Sequence, residues 1–151
     1  MTDSDKSKIP PQDLAPIRKS EDEWRAQLTP EQFYVTQQSG TERPGSGEYS
    51  KHDAVGRYDC VCCGLPLFES DTKFDAFCGW PSFFRVIHAD HIKEVVDRSL
   101  PNHPPRIETR CARCDAHLGH VFDDGPKPTG LRYCMNSAAL DFVSAEERDD
   151  V

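Results

Sequence analysis

Cys60-Val61-Cys62-Cys63-Gly64 and Cys111-Ala112-Arg113-Cys114 carry two Cys-x-x-Cys turns, with 47 residues between Cys63 and Cys111. A turn of this kind brings two thiolates within reach of one metal ion, and two such turns complete the tetrahedral four-sulfur shell that structural zinc prefers. The expected ligands are Cys60, Cys63, Cys111 and Cys114. Such a shell leaves no open position for a substrate, so it reads as a staple. Buried inert thiols and a redox Cys-x-x-Cys are the other readings, and neither explains why two pairs occur. Cys62 would fit only a one-residue spacing and is read as a bystander. The gap between the pairs is too long for a compact zinc finger, so the metal would pin two separated hairpin-like turns of one β domain.

The flanking sequence agrees. From Tyr58 onward the apolar runs are short and broken by Gly, Pro, Asn and Asp, as in Phe83-Phe84-Arg85-Val86-Ile87 and Ile107-Glu108-Thr109-Arg110. That pattern predicts antiparallel strands. Upstream, Ser20 with Glu23 makes a capping box for a short helix in which Trp24 and Leu28 share a face. Thr29 followed by Pro30 starts a second short helix. Residues 38 to 49 hold three glycines and Pro44 and should be irregular surface chain. Residues 1–19 are polar and contain Pro10, Pro11 and Pro16, which predicts a flexible tail. The domain is then expected over 20–145, with an acidic tail over 146–151.

At 151 residues one domain is expected, and with 36% hydrophobic residues and a mean hydropathy of -0.68 its core is modest. A metal staple would offset the small burial. A net charge of -8 argues against nucleic acid as a partner, because phosphate binding rests on clustered Lys and Arg. The first residues are neither basic nor apolar and no membrane-spanning run occurs, which makes the cytosol the default compartment. Seven cysteines, an odd number, suit metal and thiol chemistry better than a disulfide scaffold.

With four thiols assigned to metal, Cys62, Cys78 and Cys134 remain for reactivity, and Cys134 is the favoured nucleophile. If Arg132-Tyr133-Cys134-Met135-Asn136 is a strand, Arg132, Cys134 and Asn136 share one face. A guanidinium beside the thiol would lower its pKa, and Asn136 could donate to a substrate oxygen. A strand cysteine that merely packs is the competing reading. His117 and His120 stand three apart and could supply general acid chemistry, or else be metal ligands or core histidines. Cys78, in the Gly and Pro turn Cys78-Gly79-Trp80-Pro81, is mobile enough to reach a second thiol. Trp80 offers an apolar plate for a methyl or thioether group, or is an ordinary core aromatic. His52, His88, His91 and His103 are read as surface groups.

Taken together, Gly79-Trp80-Pro81-Ser82-Phe83, His117-Leu118-Gly119-His120-Val121-Phe122, Arg132-Tyr133-Cys134-Met135-Asn136-Ser137-Ala138 and the paired knuckles resemble the methionine sulfoxide reductase B family over about residues 20 to 143. The resemblance implies a mainly antiparallel β fold, two-sheet and barrel-like. It implies a structural zinc, one per chain, and reduction of the R epimer of methionine sulfoxide in proteins. Cys134 would attack the sulfoxide sulfur, with His117, His120 and Asn136 holding or protonating the departing oxygen. Arg132 would sit beside the nucleophile, and Trp80 and Phe122 would bind the substrate. Asp124 would orient a histidine from behind. A sulfenic acid on Cys134 would condense with Cys78, and thioredoxin would reduce the disulfide of a monomeric enzyme. The chain departs from the family wording at Phe77, where glycine is common, at Asp123, where proline is common, and in the extra Cys62. A bulky Phe77 would stiffen the Cys78 loop or fill an apolar space near the site.

Two rival classes use the same residues. A zinc-ribbon binding module, like the zinc-bound β proteins that assist small GTPases, would need no activated thiol and leaves the polar face around Cys134 unexplained. A zinc hydrolase built on His117 and His120 would need a metal with an open position.

Overall fold

The computed structural model describes residues 13–145. Two short helices, α1 (Glu21–Gln27) and α2 (Pro30–Gln37), precede nine strands: β1 (Gly56–Cys60), β2 (Pro66–Glu69), β3 (Lys73–Phe74), β4 (Ser82–Phe83), β5 (Ile92–Asp97), β6 (Arg106–Cys111), β7 (His117–Phe122), β8 (Arg132–Met135) and β9 (Leu140–Ser144). Both helices begin at the expected caps, and a full capping box closes each. The Glu23 and Gln32 amides donate to Ser20 Oγ (3.2 Å) and Thr29 Oγ1 (3.1 Å), and the two long side chains accept from the cap amides in return. A cap of this kind contributes about 1 kcal/mol, and here it sets the registers that bury Trp24, Leu28, Phe33 and Val35.

All strand pairs are antiparallel, in a three-stranded sheet ordered β2-β1-β9 and a six-stranded sheet ordered β3-β4-β8-β7-β6-β5. The class is the expected one, but neither sheet closes into a barrel. The larger ladder runs out at β3 and β4, two residues each, instead of curling back to β5. The sheets face each other through aromatic rings. Phe68 of β2 stacks on Phe83 of β4 (4.3 Å between centroids) and tilts against Tyr133 of β8, while Tyr58 of β1 meets Phe83 edge-on. Tyr58, Phe68 and Phe83 are fully buried. Face and edge contacts of this sort add roughly 0.5–1.5 kcal/mol per pair beyond area burial.

The expected alternation holds on β8, where Tyr133 and Met135 are buried and Arg132 and Cys134 are half-buried on the opposite face. His91, read from sequence as a surface group, is fully buried and donates through Nδ1 to the Pro66 carbonyl (2.7 Å). Its short 3-10 turn folds it under β2, and burial lowers its pKa. Similarly, His52 packs edge-on against Phe142 and bonds the Tyr58 hydroxyl (2.8 Å).

Of the expected N-terminal tail, residues 13–19 follow the second knuckle. The Ile17 amide donates to the Arg113 carbonyl (2.9 Å), and Arg113 donates to the carbonyls of Asp13 (3.2 Å) and Cys63 (2.8 Å). Residues 1–12 and the acidic stretch 146–151 lie outside the described residues. No described helix is long and apolar enough to cross a membrane.

Candidate active site

Strand register brings the reactive residues to one face of the six-stranded sheet. Ser82 pairs with Cys134, Cys134 with His120, and His120 with Glu108, so these four side chains form a row across β4, β8, β7 and β6. Two residues three apart on a strand normally point to opposite faces. Here the β6–β7 ladder slips at Thr109/Arg110, so that Leu118 has no partner while His117 stands opposite Arg110. This bulge returns His117 to the face of His120, with ring centroids 5.7 Å apart.

Each histidine has its own carboxylate, and each carboxylate its own arginine. His117 Nδ1 donates to Glu108 Oε2 (2.6 Å), and Arg110 grips Glu108 with two bonds (2.9 and 3.1 Å). His120 Nε2 donates to Asp97 Oδ2 (2.7 Å), which Arg106 also reaches (3.0 Å). Burial raises the Glu108 carboxyl, but its bonds to Arg110 and His117 outweigh that and hold it low. Asp97 is held far below the ordinary carboxylate range, chiefly by His120. Burial lowers the pKa of His120, so the ring is neutral at neutral pH and its other nitrogen is left to accept a hydrogen bond.

The two thiols meet beside this row. Cys78 Sγ lies 3.7 Å from Cys134 Sγ, 3.4 Å from Ser82 Oγ and 3.5 Å from the Trp80 carbonyl. Arg132 acts downward on Cys134, as expected, but other effects outweigh it. Burial, followed by the charge on Cys78, pushes Cys134 up to about 12, and Arg132 offsets only part of this. Burial also acts upward on Cys78, but bonds from Ser82, Trp80 and Cys134 bring it below the ordinary thiol value. The pair therefore places its first negative charge on Cys78.

Asp124 does not orient a histidine. It bonds Arg132 (2.8 and 3.1 Å), because the Phe122–Arg132 pairing puts residue 124 at the mouth of the β7–β8 hairpin, past His120. Arg132 also lies over the Phe122 ring, 4.3 Å from its centroid. A cleft of about 120 Å³ opens here, walled by Trp80, His120, Phe122, Arg132, Cys134 and Asn136. His117 is absent from that wall and lines the neighbouring groove instead. Phe77 fills no apolar space near the site. It is 89% exposed, with φ at 56°, a conformation that explains why glycine suits the position.

One hub escaped the sequence reading. Glu42 is buried, accepts from the amides of Ser137 (2.8 Å) and Ala138 (3.0 Å), and donates its own N–H to Asn136 Oδ1 (2.9 Å). Its carbonyl accepts from Trp80 Nε1 (3.0 Å). Asn136 in turn donates to the Leu118 carbonyl (3.0 Å), so Glu42 positions both Asn136 and the indole. Asp97, Glu108 and Ser82 were also unmarked, and no local motif distinguishes them from ordinary strand residues.

Away from the cleft, the sulfurs of Cys60, Cys63, Cys111 and Cys114 lie within 4.8 Å of one another and could hold a metal ion. Cys60 and Cys114 are 3.6 Å apart, and Cys63 and Cys111 3.5 Å. A tetrahedral ion with metal–sulfur bonds near 2.3 Å needs sulfurs about 3.8 Å apart, so the residues fit. Cys62 is not one of the four, but its thiol adjoins Cys60 and Cys114, and its Sγ also lies 3.5 Å from Gln37 Nε2.

A family model described as the SelR domain matches residues 28–144. A protein of Chromohalobacter salexigens named peptide methionine sulfoxide reductase MsrB is 57% identical over 131 residues, covering 86% of this chain and 97% of that protein. Proteins of the same name from Hahella chejuensis and Pseudomonas putida are 55% and 57% identical, covering 86% and 83% of this chain and 92% and 94% of their own lengths.

Proposed function

This chain belongs to the SelR domain family, and from that membership we propose that it reduces peptide-bound methionine-R-sulfoxide to methionine, with Cys134 as nucleophile and Cys78 as the resolving thiol. The observation that carries this reading is the 3.7 Å between the two sulfurs at a cleft faced by Trp80 and His120. Cys134 attacks the sulfoxide sulfur. Because its thiol is held near 12, its proton moves to the sulfoxide oxygen as the sulfur–sulfur bond forms, directly or through a water on the free nitrogen of His120. The Cys134 sulfur gains the oxygen as a sulfenic acid, and methionine leaves reduced by two electrons. Cys78, the more acidic thiol, then attacks Cys134 Sγ, and the hydroxyl departs as water while the disulfide closes. Thioredoxin returns both thiols by dithiol exchange.

Trp80 packs against the substrate methyl group, and Asn136 holds the oxygen. His117 supports the site through its contact with His120, and Arg132, clamped by Asp124, sets the field at the thiols. The ion that suits Cys60, Cys63, Cys111 and Cys114 is zinc, which ties the two knuckles together and leaves the chemistry to the cleft. The reading includes a monomer in the cytosol, where dithiol proteins are reduced.

The test is thioredoxin-coupled reduction of peptides carrying separated R and S sulfoxides by the wild type, Cys134→Ser and Cys78→Ser. R-selective turnover should vanish in the first variant, and in the second it should stop after one turnover. Continued thioredoxin-driven cycling in Cys78→Ser would remove the resolving role, and no turnover by the wild type on either epimer would refute the activity.

A further inference from the structure

In a chain of net charge -8, a groove among the described residues is lined by five cations. The groove has a volume of about 410 Å³ and is bordered by Arg18, Lys19, Lys93, Arg110 and Arg113, with Asp115 the one carboxylate in its wall among the described residues. Two of the cations are already paired: Lys93 with Asp115 (2.7 Å) and Arg110 with Glu108. Arg113 turns its guanidinium to backbone carbonyls beside Cys63, where it balances the thiolates of the metal cluster, and its buried Nε has no hydrogen-bond partner. Lys19 holds the Gln27 amide, and Arg18 pairs with no carboxylate among the described residues. The lining keeps a positive excess that the fold does not neutralise.

This groove adjoins the Cys134 cleft. His117 in its wall is 5.7 Å from His120 in the wall of the cleft. One face of β6 runs Arg106, Glu108, Arg110, the first in the cleft and the last in the groove. The segment after α2 borders both, with Ser39 on the groove and Thr41 on the cleft. From Cys134 to Arg110 is two strands across and one two-residue step along, about 12 Å, or three to four residues of extended peptide.

We propose that the groove is a subsite for the chain flanking the methionine sulfoxide, and that it selects acidic residues three to four positions from the sulfoxide. The proposal rests on the reductase reading and adds to it a substrate class: oxidised methionines in acidic sequence. An extended peptide whose sulfoxide enters the cleft crosses β7 toward β6 and brings its carboxylates over Arg18 and Lys19, two groove cations that no carboxylate among the described residues holds. These contacts are exposed, so they act together and weaken with salt.

The experiment compares kcat/KM for three peptides with one R-sulfoxide flanked at three and four residues by Glu, Gln or Lys, together with N-acetyl-methionine-R-sulfoxide, at low and high ionic strength. A few exposed pairs predict about a tenfold preference for the Glu over the Lys peptide at low salt, expressed mainly in KM and largely lost at high salt. The Arg18→Glu/Lys19→Glu variant should reverse that order. Equal kcat/KM for the three peptides at low salt would overturn the subsite, as would a variant that slows all three alike. Failure of the wild type on the acetylated amino acid and on every peptide would instead count against the reductase reading itself.

Discussion

Replacing Glu42 tests whether a buried carboxylate positions the site. In Glu42→Ala the amides of Ser137 and Ala138 lose their acceptors in a region where Glu42 is only 4% exposed. A buried N–H left without a partner costs about 1–3 kcal/mol, so the two together predict a loss of about 2–4 kcal/mol after local relaxation. Glu42→Gln keeps one acceptor oxygen and turns an NH2 toward the other amide, so about half that loss is expected. Urea unfolding followed by tryptophan fluorescence reads the difference, and at a slope of about 2 kcal/mol per molar the midpoint of the alanine variant falls by about 1–2 M. Burial raises the Glu42 carboxyl above its ordinary 4.5. A raised folded value means that the ionised form carries a cost which protonation relieves. The wild type should therefore gain on Glu42→Gln as pH falls from neutral through the raised value, and the gain should level off below the unfolded value. An alanine variant within about 0.5 kcal/mol of wild type, or alanine and glutamine variants equally destabilised, would refute the reasoning.

A Cβ at Gly119 would press into the Cys134 carbonyl of the paired strand, so Gly119→Ala should lower Tm by more than about 5 °C and reduce kcat; an unchanged melting curve would show that β7 and β8 separate more easily than their register suggests. Stripping metal with a chelator after thiol titration should release one zinc per chain and destabilise the protein by several kcal/mol, measured by metal-sensitive dye and unfolding together, and a metal-free chain of unchanged stability would contradict the staple. Iodoacetamide at neutral pH should label Cys78 ahead of Cys134, because the first thiol lies below its ordinary value and the second near 12; peptide mapping that found Cys134 modified first would invert the assignment.

What could be read from the chain alone was local. Ser20 with Glu23, and Thr29 with Pro30, declare their helices within four residues, and each knuckle supplies two of the four sulfurs that could hold a metal ion, so the cluster needed only two turns to meet. The faces of β8 followed from a period of two. What was hidden depends on partners distant in sequence. Asp97 reaches His120 across 23 positions, and Glu42 reaches residues 136–138 across more than 90. The shared face of His117 and His120 needed a bulge, which the strand glycine Gly119 hints at but does not place. The role that the resemblance implied for Asp124 does not appear in the geometry, because the β7–β8 hairpin carries this carboxylate to Arg132. The downward pull of Arg132 on Cys134 is visible in sequence, while the burial and the second thiol at 3.7 Å that outweigh it are not.

The 47 residues between Cys63 and Cys111 also set a clock on biosynthesis. At about 5–20 residues per second the first knuckle leaves the ribosome several seconds before the second. During that interval Cys60, Cys62, Cys63 and Cys78 emerge with no complete metal shell to occupy, and the third thiol between the knuckle cysteines offers a wrong partner to each. Oxidant present at that moment would cross-link nascent chains that the finished protein resists. A protein whose proposed task is to undo oxidation would then be most exposed to it while being made.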